Sequence, residues 1–220
     1  MPLRVISLSR YFANRSLQWR PEDYDAYKWV QALKGNELNG YARVPVQGVL
    51  RRLSNQNFGS AIDWFGKIAV QELARRNLAG PFLLIPVPNS KCVLDSSGPR
   101  TRKLAQAIAA ELQDSSHVLD CLRWRKNLGS ASHEGGPRAP AILYANLAVL
   151  KDRLKDFNAQ GTPLLVDDVT TSGGHLQACA ARLRENHIDV TNGVCGGKTL
   201  YEQDNHAFAI IEEILDEFEP

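Results

Sequence analysis

No apolar run in this 220-residue chain is long enough to cross a membrane. The opening residues MPLRVISLSRYF lack the apolar core and small-residue cleavage site of a secretory signal. Together these absences lead to the expectation of a soluble, cytoplasmic protein with no membrane partner. Cysteine is scarce: Cys92, Cys121, Cys179 and Cys195 contain no Cys-x-x-Cys pair, which argues against a local zinc site. Cys179 and Cys195 sit among apolar residues and read as reduced core thiols. His117, His133, His187 and His206 show no metal-ligand spacing. There is no internal repeat and no low-complexity linker.

What is present is an ordinary globular composition, 44% hydrophobic and 23% charged, enough for one sizeable core with a small addition. The net charge of +2 is unevenly spread. Arg4, Arg10, Arg15, Arg20, Arg43, Arg51 and Arg52 make the beginning basic, while Glu212, Glu213, Asp216, Glu217 and Glu219 make the tail acidic. The basic end can contact nucleic acid. The simpler expectation is a solvated face, or the two ends pairing across the fold.

Helical spacing of apolar residues predicts helices over residues 22–34 and 60–78, ended by Gly35 and by Gly80-Pro81. FLLIPVP, residues 82–88, is short and wholly apolar, as a strand buried on both faces should be. A polar loop follows, then a helix over 101–113 and a strand in HVLDCL. Residues 123–140 are basic, rich in Gly and Ser and without periodicity, and are expected to form an exposed, mobile loop. Residues 141–157 fit no single pattern. TPLLVD predicts a second buried strand, GHLQACAARLREN a helix and DVTNGVCGG a third strand. This alternation predicts an α/β fold, a mostly parallel twisted sheet flanked by helices. Ligands of such sheets bind beyond the carboxyl ends of the strands, here loops 88–100, 123–140 and 167–175.

One of those loops is unusual. In LLVDDVTTSGGHL two adjacent carboxylates, Asp167 and Asp168, end a buried strand, where like charges repel and contribute nothing to a core. Thr171 and Ser172 add hydroxyl donors, and Gly173 and Gly174 let backbone approach a ligand at the start of a helix. That is a cradle suited to phosphate. The carboxylates beside it suit sugar hydroxyls or a magnesium ion. A capped surface turn explains one Asp or one Ser but not the whole series.

LLVDDVTTSGGHL resembles the phosphoribosyl-pyrophosphate signature of the type I phosphoribosyltransferases. Ser172 stands where Thr is common, and His175 stands where the family usually has a Ser or Thr against the 5′-phosphate. FLLIPVPNSK, with Pro86, Val87 and Pro88, is similar to the strand and pyrophosphate loop of the competence-protein, ComF-like branch. GPRTRKLAQAIAAEL resembles the stretch opening that branch's next helix, but without its Arg-Gly-Phe-Asn core. Residues 123–147 resemble its flexible loop, and AYKWVQALKG resembles its N-terminal Lys-x-x-Gly region. The likeness covers roughly residues 82–200.

The resemblance implies a phosphoribosyltransferase-like domain over 61–220 with an N-terminal hood over 1–60. It implies binding of phosphoribosyl pyrophosphate with Mg2+, and transfer of phosphoribose to a nitrogen nucleophile, usually a nucleobase, with loss of pyrophosphate. Asp167 and Asp168 would hold the ribose hydroxyls and favour positive charge at the anomeric carbon. Thr171, Ser172, Gly173, Gly174 and His175 would cradle the 5′-phosphate. Asn89, Ser90, Lys91, Arg100, Arg123 and Lys126 would face the pyrophosphate, with Arg102 a further anion contact. Arg125, in the lid with Arg123 and Lys126, would close over the reacting centre. Glu134 beside His133 is a candidate base or a surface pair. Trp124 is a candidate to stack on a base, and Trp19, Trp29 and Trp64 are expected in packing. Relatives are often dimers. A binding module that senses phosphoribosyl pyrophosphate without catalysis is the alternative, and a nucleic-acid contact linked to DNA uptake or defence is a third.

Overall fold

A computed structural model describes residues 1–12, 18–129, 139–155, 161–202 and 206–220. In chain order the elements are β1 (Leu3–Ser7), β2 (Arg10–Phe12), α1 (Pro21–Leu33), β3 (Tyr41–Val46), β4 (Val49–Ser54), α2 (Ser60–Arg75) and β5 (Phe82–Pro86). Then follow α3 (Arg102–Leu112), β6 (His117–Val118), β7 (Leu122–Trp124), α4 (Pro140–Asn146), β8 (Leu147–Val149) and α5 (Lys151–Lys155). The last are β9 (Thr162–Thr170), α6 (Gly174–Arg184), β10 (Asn192–Leu200) and β11 (Ile211–Leu215).

The main sheet runs β11-β1-β10-β9-β5-β6, with β2 also paired to β10. Every pairing is parallel except β1 with β11. The apolar runs predicted as strands are the centre of this sheet, because parallel strands covered by helices must be apolar on both faces. Leu84, Leu164, Val166 and Val194 face a core shared with α1, α2, α3 and β3. Leu83, Ile85, Leu165 and Cys195 face a second core with α6, α4 and β7. The α/β expectation with a mostly parallel sheet and flanking helices holds.

The segment 1–60 contributes to two places. β1 lies inside the main sheet, with Ile6 opposite Val194 and Val5 opposite Glu213. α1 and the β3–β4 hairpin instead pack beside the first core. The hairpin turns at Gln47 and Gly48, both at positive φ (51° and 78°), the geometry that matches strand twist. β11 runs antiparallel to β1, so the acidic tail meets the basic beginning. Arg4 pairs with Glu212 at 3.3 Å, and the Met1 ammonium with Glu217. The expectation that the ends pair across the fold holds for these residues.

Residues 123–129 differ from the expected open loop. Arg123 and Trp124 belong to β7, antiparallel to β8, and are buried. The remainder of that loop, with His133 and Glu134, lies outside the described residues. Residues 141–155 resolve into most of α4, β8 and α5, three short pieces whose patterns overlap in sequence, and 156–157 lie outside the described residues.

Candidate functional site

Strand order locates the site. The chain leaves β5 through α3 towards β6 on one side, and leaves β9 through α6 towards β10 on the other. The loops after β5 and β9 therefore diverge, and a crevice opens at their carboxyl ends. Asp167 and Asp168 stand near the carboxyl end of β9 itself, and the loop after it carries the glycines.

Because strand side chains alternate, the two aspartates project to opposite faces. Asp168 points to the α1 and α3 side, is 5% exposed, and forms an ion pair with Arg100. Asp167 lies opposite Cys195, on the α6 side. Its Oδ1 accepts the Asp168 backbone N–H at 2.8 Å. Burial, and then the charge of Asp168, push the Asp167 carboxyl well above the usual carboxylate range. Burial, and then the neighbouring Asp167 carboxyl, likewise push the Cys179 and Cys195 thiols well above the usual thiol range.

The chain after β9 turns at Gly173, whose φ of +81° suits glycine and opens α6. A Cβ there would also run into the side chain of Leu215 on β11. Thr171 bonds Thr199 of β10 at 3.0 Å, Ser172 is exposed, and Gly173 and Gly174 are buried. The Thr170 hydroxyl is buried with no hydrogen-bond partner among the described residues. His175 is half-buried, its ring set edge-on to Trp124 at 5.6 Å between centroids.

The loop after β5 is tied down by side chains distant in sequence. Asn89 Oδ1 accepts the Arg100 backbone N–H at 3.3 Å, and Thr101 Oγ1 donates to the Val87 carbonyl at 2.6 Å. The Trp124 indole N–H lies 3.1 Å from both the Pro88 and Asn89 carbonyls. Trp124 is thus a buried clamp between the two loops, and not an open platform for a base. Ser90 is half-buried and Lys91 exposed.

The basic residues expected against pyrophosphate are spread out. Arg100 is in the crevice but engaged with Asp168. Arg123 is 2% exposed and bonds both oxygens of Asp120, at 2.5 and 3.1 Å. It serves the interior: Asp120 also draws Arg102 to 3.7 Å, and Gly98 (φ +134°) leaves room for the Asp120 carboxylate. Arg125 and Lys126 are exposed. Arg125 lies near enough to Arg182 on α6 that its charge adds to burial in lowering the Arg182 pKa.

One charged residue enters the site that the sequence pattern did not single out. Lys34, following α1, has an ammonium 4.7 Å from the Tyr11 ring centroid. Burial lowers its pKa, and the nearby Asp168 opposes that shift. The fragment AYKWVQALKG contains it, but no spacing in that fragment points to the end of β9.

No group of three or more His, Cys, Asp or Glu among the described residues is placed to hold a metal ion. The donor set is two carboxylates, one engaged by Arg100 and one whose pKa is raised by burial. Mg2+ keeps several waters and takes only one or two protein carboxylates, so this pair could hold it only together with ligands from outside the chain. Two hollows lie away from the crevice. One of about 160 Å3 sits between the β3–β4 turn and α2, and another adjoins Gly161 and Pro163 at the amino ends of the strands. The crevice itself is bridged by Arg100. No helix among the described residues is long and apolar enough to cross a membrane.

No protein-family model matches the chain, and no curated protein matches it.

Proposed function

We propose that the protein binds phosphoribosyl pyrophosphate together with Mg2+ and transfers phosphoribose to a nitrogen nucleophile, such as a nucleobase, releasing pyrophosphate. The observation that carries this reading is the end of β9. Two carboxylates close a central parallel strand beside the sheet's reversal point, and a positive-φ glycine opens a helix six residues after the first of them. The phosphate half of the donor suits Thr171, Ser172, Gly173, Gly174 and the backbone N–H groups of α6. The ribose suits Asp168 and Asp167 beside it. The diphosphate falls to the loop holding Asn89, Ser90 and Lys91 on the other side of the crevice.

In this reading Arg100 leaves Asp168 when the donor enters, and its guanidinium is then available to phosphate oxygens. Bound Mg2+ would neutralise charge on the leaving pyrophosphate. The chain's own residues hold the sugar through Asp167 and Asp168, favour developing positive charge at the anomeric carbon through the Asp168 carboxylate, and exclude water. Resemblance to the ComF-like branch of the type I phosphoribosyltransferases points to the same chemistry. A second reading, a donor-binding module without transfer, is favoured by the Arg100–Asp168 pair, which holds one of the two carboxylates in the free protein.

Calorimetric titration with phosphoribosyl pyrophosphate, with Mg2+ and then with EDTA, tests the proposal. The wild type is expected to bind in a magnesium-dependent manner, and the Asp167→Asn/Asp168→Asn double variant to lose that binding. Folded wild-type protein that ignores the compound would sink the proposal. Pyrophosphate release in the presence of nucleobases then separates transfer from binding alone.

A further inference from the structure

Lys34 is placed with more care than a surface lysine requires. Its backbone N–H ends α1 on the Val30 carbonyl at 3.0 Å, and the Gly35 N–H follows on the Ala32 carbonyl at 2.9 Å. Gly35 (φ +78°) then brings the chain against Arg100, where a side-chain carbon at Gly35 would lie 3.6 Å from Arg100 Cδ. The lysine lies over Tyr11, and that ring is fixed on two sides. Gln31 Nε2 donates to the Tyr11 hydroxyl at 2.9 Å, and Tyr27 stacks on the ring at 5.3 Å and 9°. Tyr27, Gln31 and Lys34 recur along one face of α1. The helix and β2 therefore form a support under one ammonium.

That ammonium has no ion pair or hydrogen bond among the described residues, although the charges around it are Asp168, Arg100 and Asp167. Arg100 has taken Asp168 instead, and Asp167 lies on the opposite face of β9. A half-buried cation beside carboxylates that do not bond it is costly unless an anion arrives from outside. The side of the sheet says which anion. Asp168, Arg100 and Lys34 all lie on the α1 and α3 side, whereas residues 173–176 open α6 on the opposite face.

Resting on the reading of the site as a phosphoribosyl-donor site, we propose that Lys34 is a substrate-contacting residue whose ammonium binds the diphosphate of the donor, not its 5′-phosphate. The aromatic support holds the cation in place before the substrate arrives. Arg100 and Lys34 then divide the work: Arg100 neutralises Asp168 in the free protein, and Lys34 waits for the anion.

The test compares the wild type with Lys34→Met and Lys34→Arg, using phosphoribosyl pyrophosphate, inorganic pyrophosphate and ribose 5-phosphate as calorimetric probes. Lys34→Met keeps an apolar stem on Tyr11 and is expected to keep the melting temperature. It should weaken both diphosphate-bearing probes by about tenfold or more, the size of one charge-assisted hydrogen bond, and leave ribose 5-phosphate unchanged. Lys34→Arg should restore binding. Between about pH 8 and 10 the wild type should lose affinity as the lysine deprotonates, and the arginine variant should not. The other groups facing this position are Tyr11 on β2, Tyr27 on α1, Asp167 and Asp168 on β9, and Arg100; they are common to both proteins and cancel in the comparison. Lys34→Met that binds pyrophosphate as the wild type does would overturn the assignment, as would an equal loss for ribose 5-phosphate. Wild-type protein that binds pyrophosphate but not phosphoribosyl pyrophosphate would instead overturn the donor reading, and the Lys34 assignment would stand as an anion contact. Binding of neither would overturn both.

Discussion

Asp167 and Asp168 are neighbours in the chain with opposite environments. Asp168 has a guanidinium against it, while Asp167 faces buried thiols and has one backbone N–H as its support. Since the folded state raises the Asp167 pKa, the native protein holds a proton that the unfolded chain releases. Stability therefore falls as pH rises from the ordinary Asp range, about 4, through the higher folded value, and is level above it. Asp167→Asn keeps an oxygen to accept the Asp168 N–H and removes the ionisation. It is expected to melt higher than the wild type at neutral pH, the gain vanishing below about pH 4. Calorimetric melts across that range check it, and a variant melting lower at pH 7 would mean that unseen partners hold the carboxylate ionised. The adjacent acids and the following glycines were legible in the sequence, because such a series has no use in a core. Their division between two faces follows from strand alternation. The reach of Arg100 and Lys34 into the same crevice was not legible, since each comes from a different element.

Helices α2 and α3 approach closely at Gly66. A Cβ there would stand 2.5 Å from the Ala107 carbonyl oxygen, a backbone atom that cannot rotate away. Gly66→Ala is expected to cost about 1–3 kcal/mol, as overpacking does, and urea denaturation measures it. Gly59→Ala has open space around it and serves as the control. Equal stability of the two variants would show that the helices separate freely. At the same scale, the stretch 123–126 reads as a basic lid by composition. Packing makes its first half a buried strand instead, with Arg123 locked on Asp120 and Trp124 clamping both loops. Arg123 looks solvent-seeking until the Asp120 carboxylate, three residues earlier, is seen to hold it, whereas Arg125 does stay exposed. The β3–β4 hairpin did leave a signal, the alternation of YARVPV before Gln47-Gly48.

Across the whole molecule, the expected boundary at residue 60 meets a sheet that draws on both sides of it. β1 stands between β11 and β10, so the first residues complete the second core through Leu3 and Val5. Deleting residues 1–12 is expected to abolish cooperative unfolding, because it leaves β10 paired only with β9 and takes the partner from β11. Far-UV circular dichroism through a thermal melt checks this. A truncated chain that keeps a sharp transition would show that the beginning is a detachable addition.

The sequence by itself determined the central strands, the helices that cover them and the acid-and-glycine loop at the end of β9. Those features are written in short-range patterns: unbroken apolar runs, helical spacing, and residues whose chemistry suits only a turn. Only the tertiary structure decided which strands became neighbours, which cation satisfied Asp168, and that a lysine at the end of the first helix would wait beside it. Arg100 and Asp168 are 68 residues apart, and their meeting depends on where a crossover places α3 against β9. Local patterns set each element's form, whereas the site arises from long-range packing that joins several elements at one edge of the sheet.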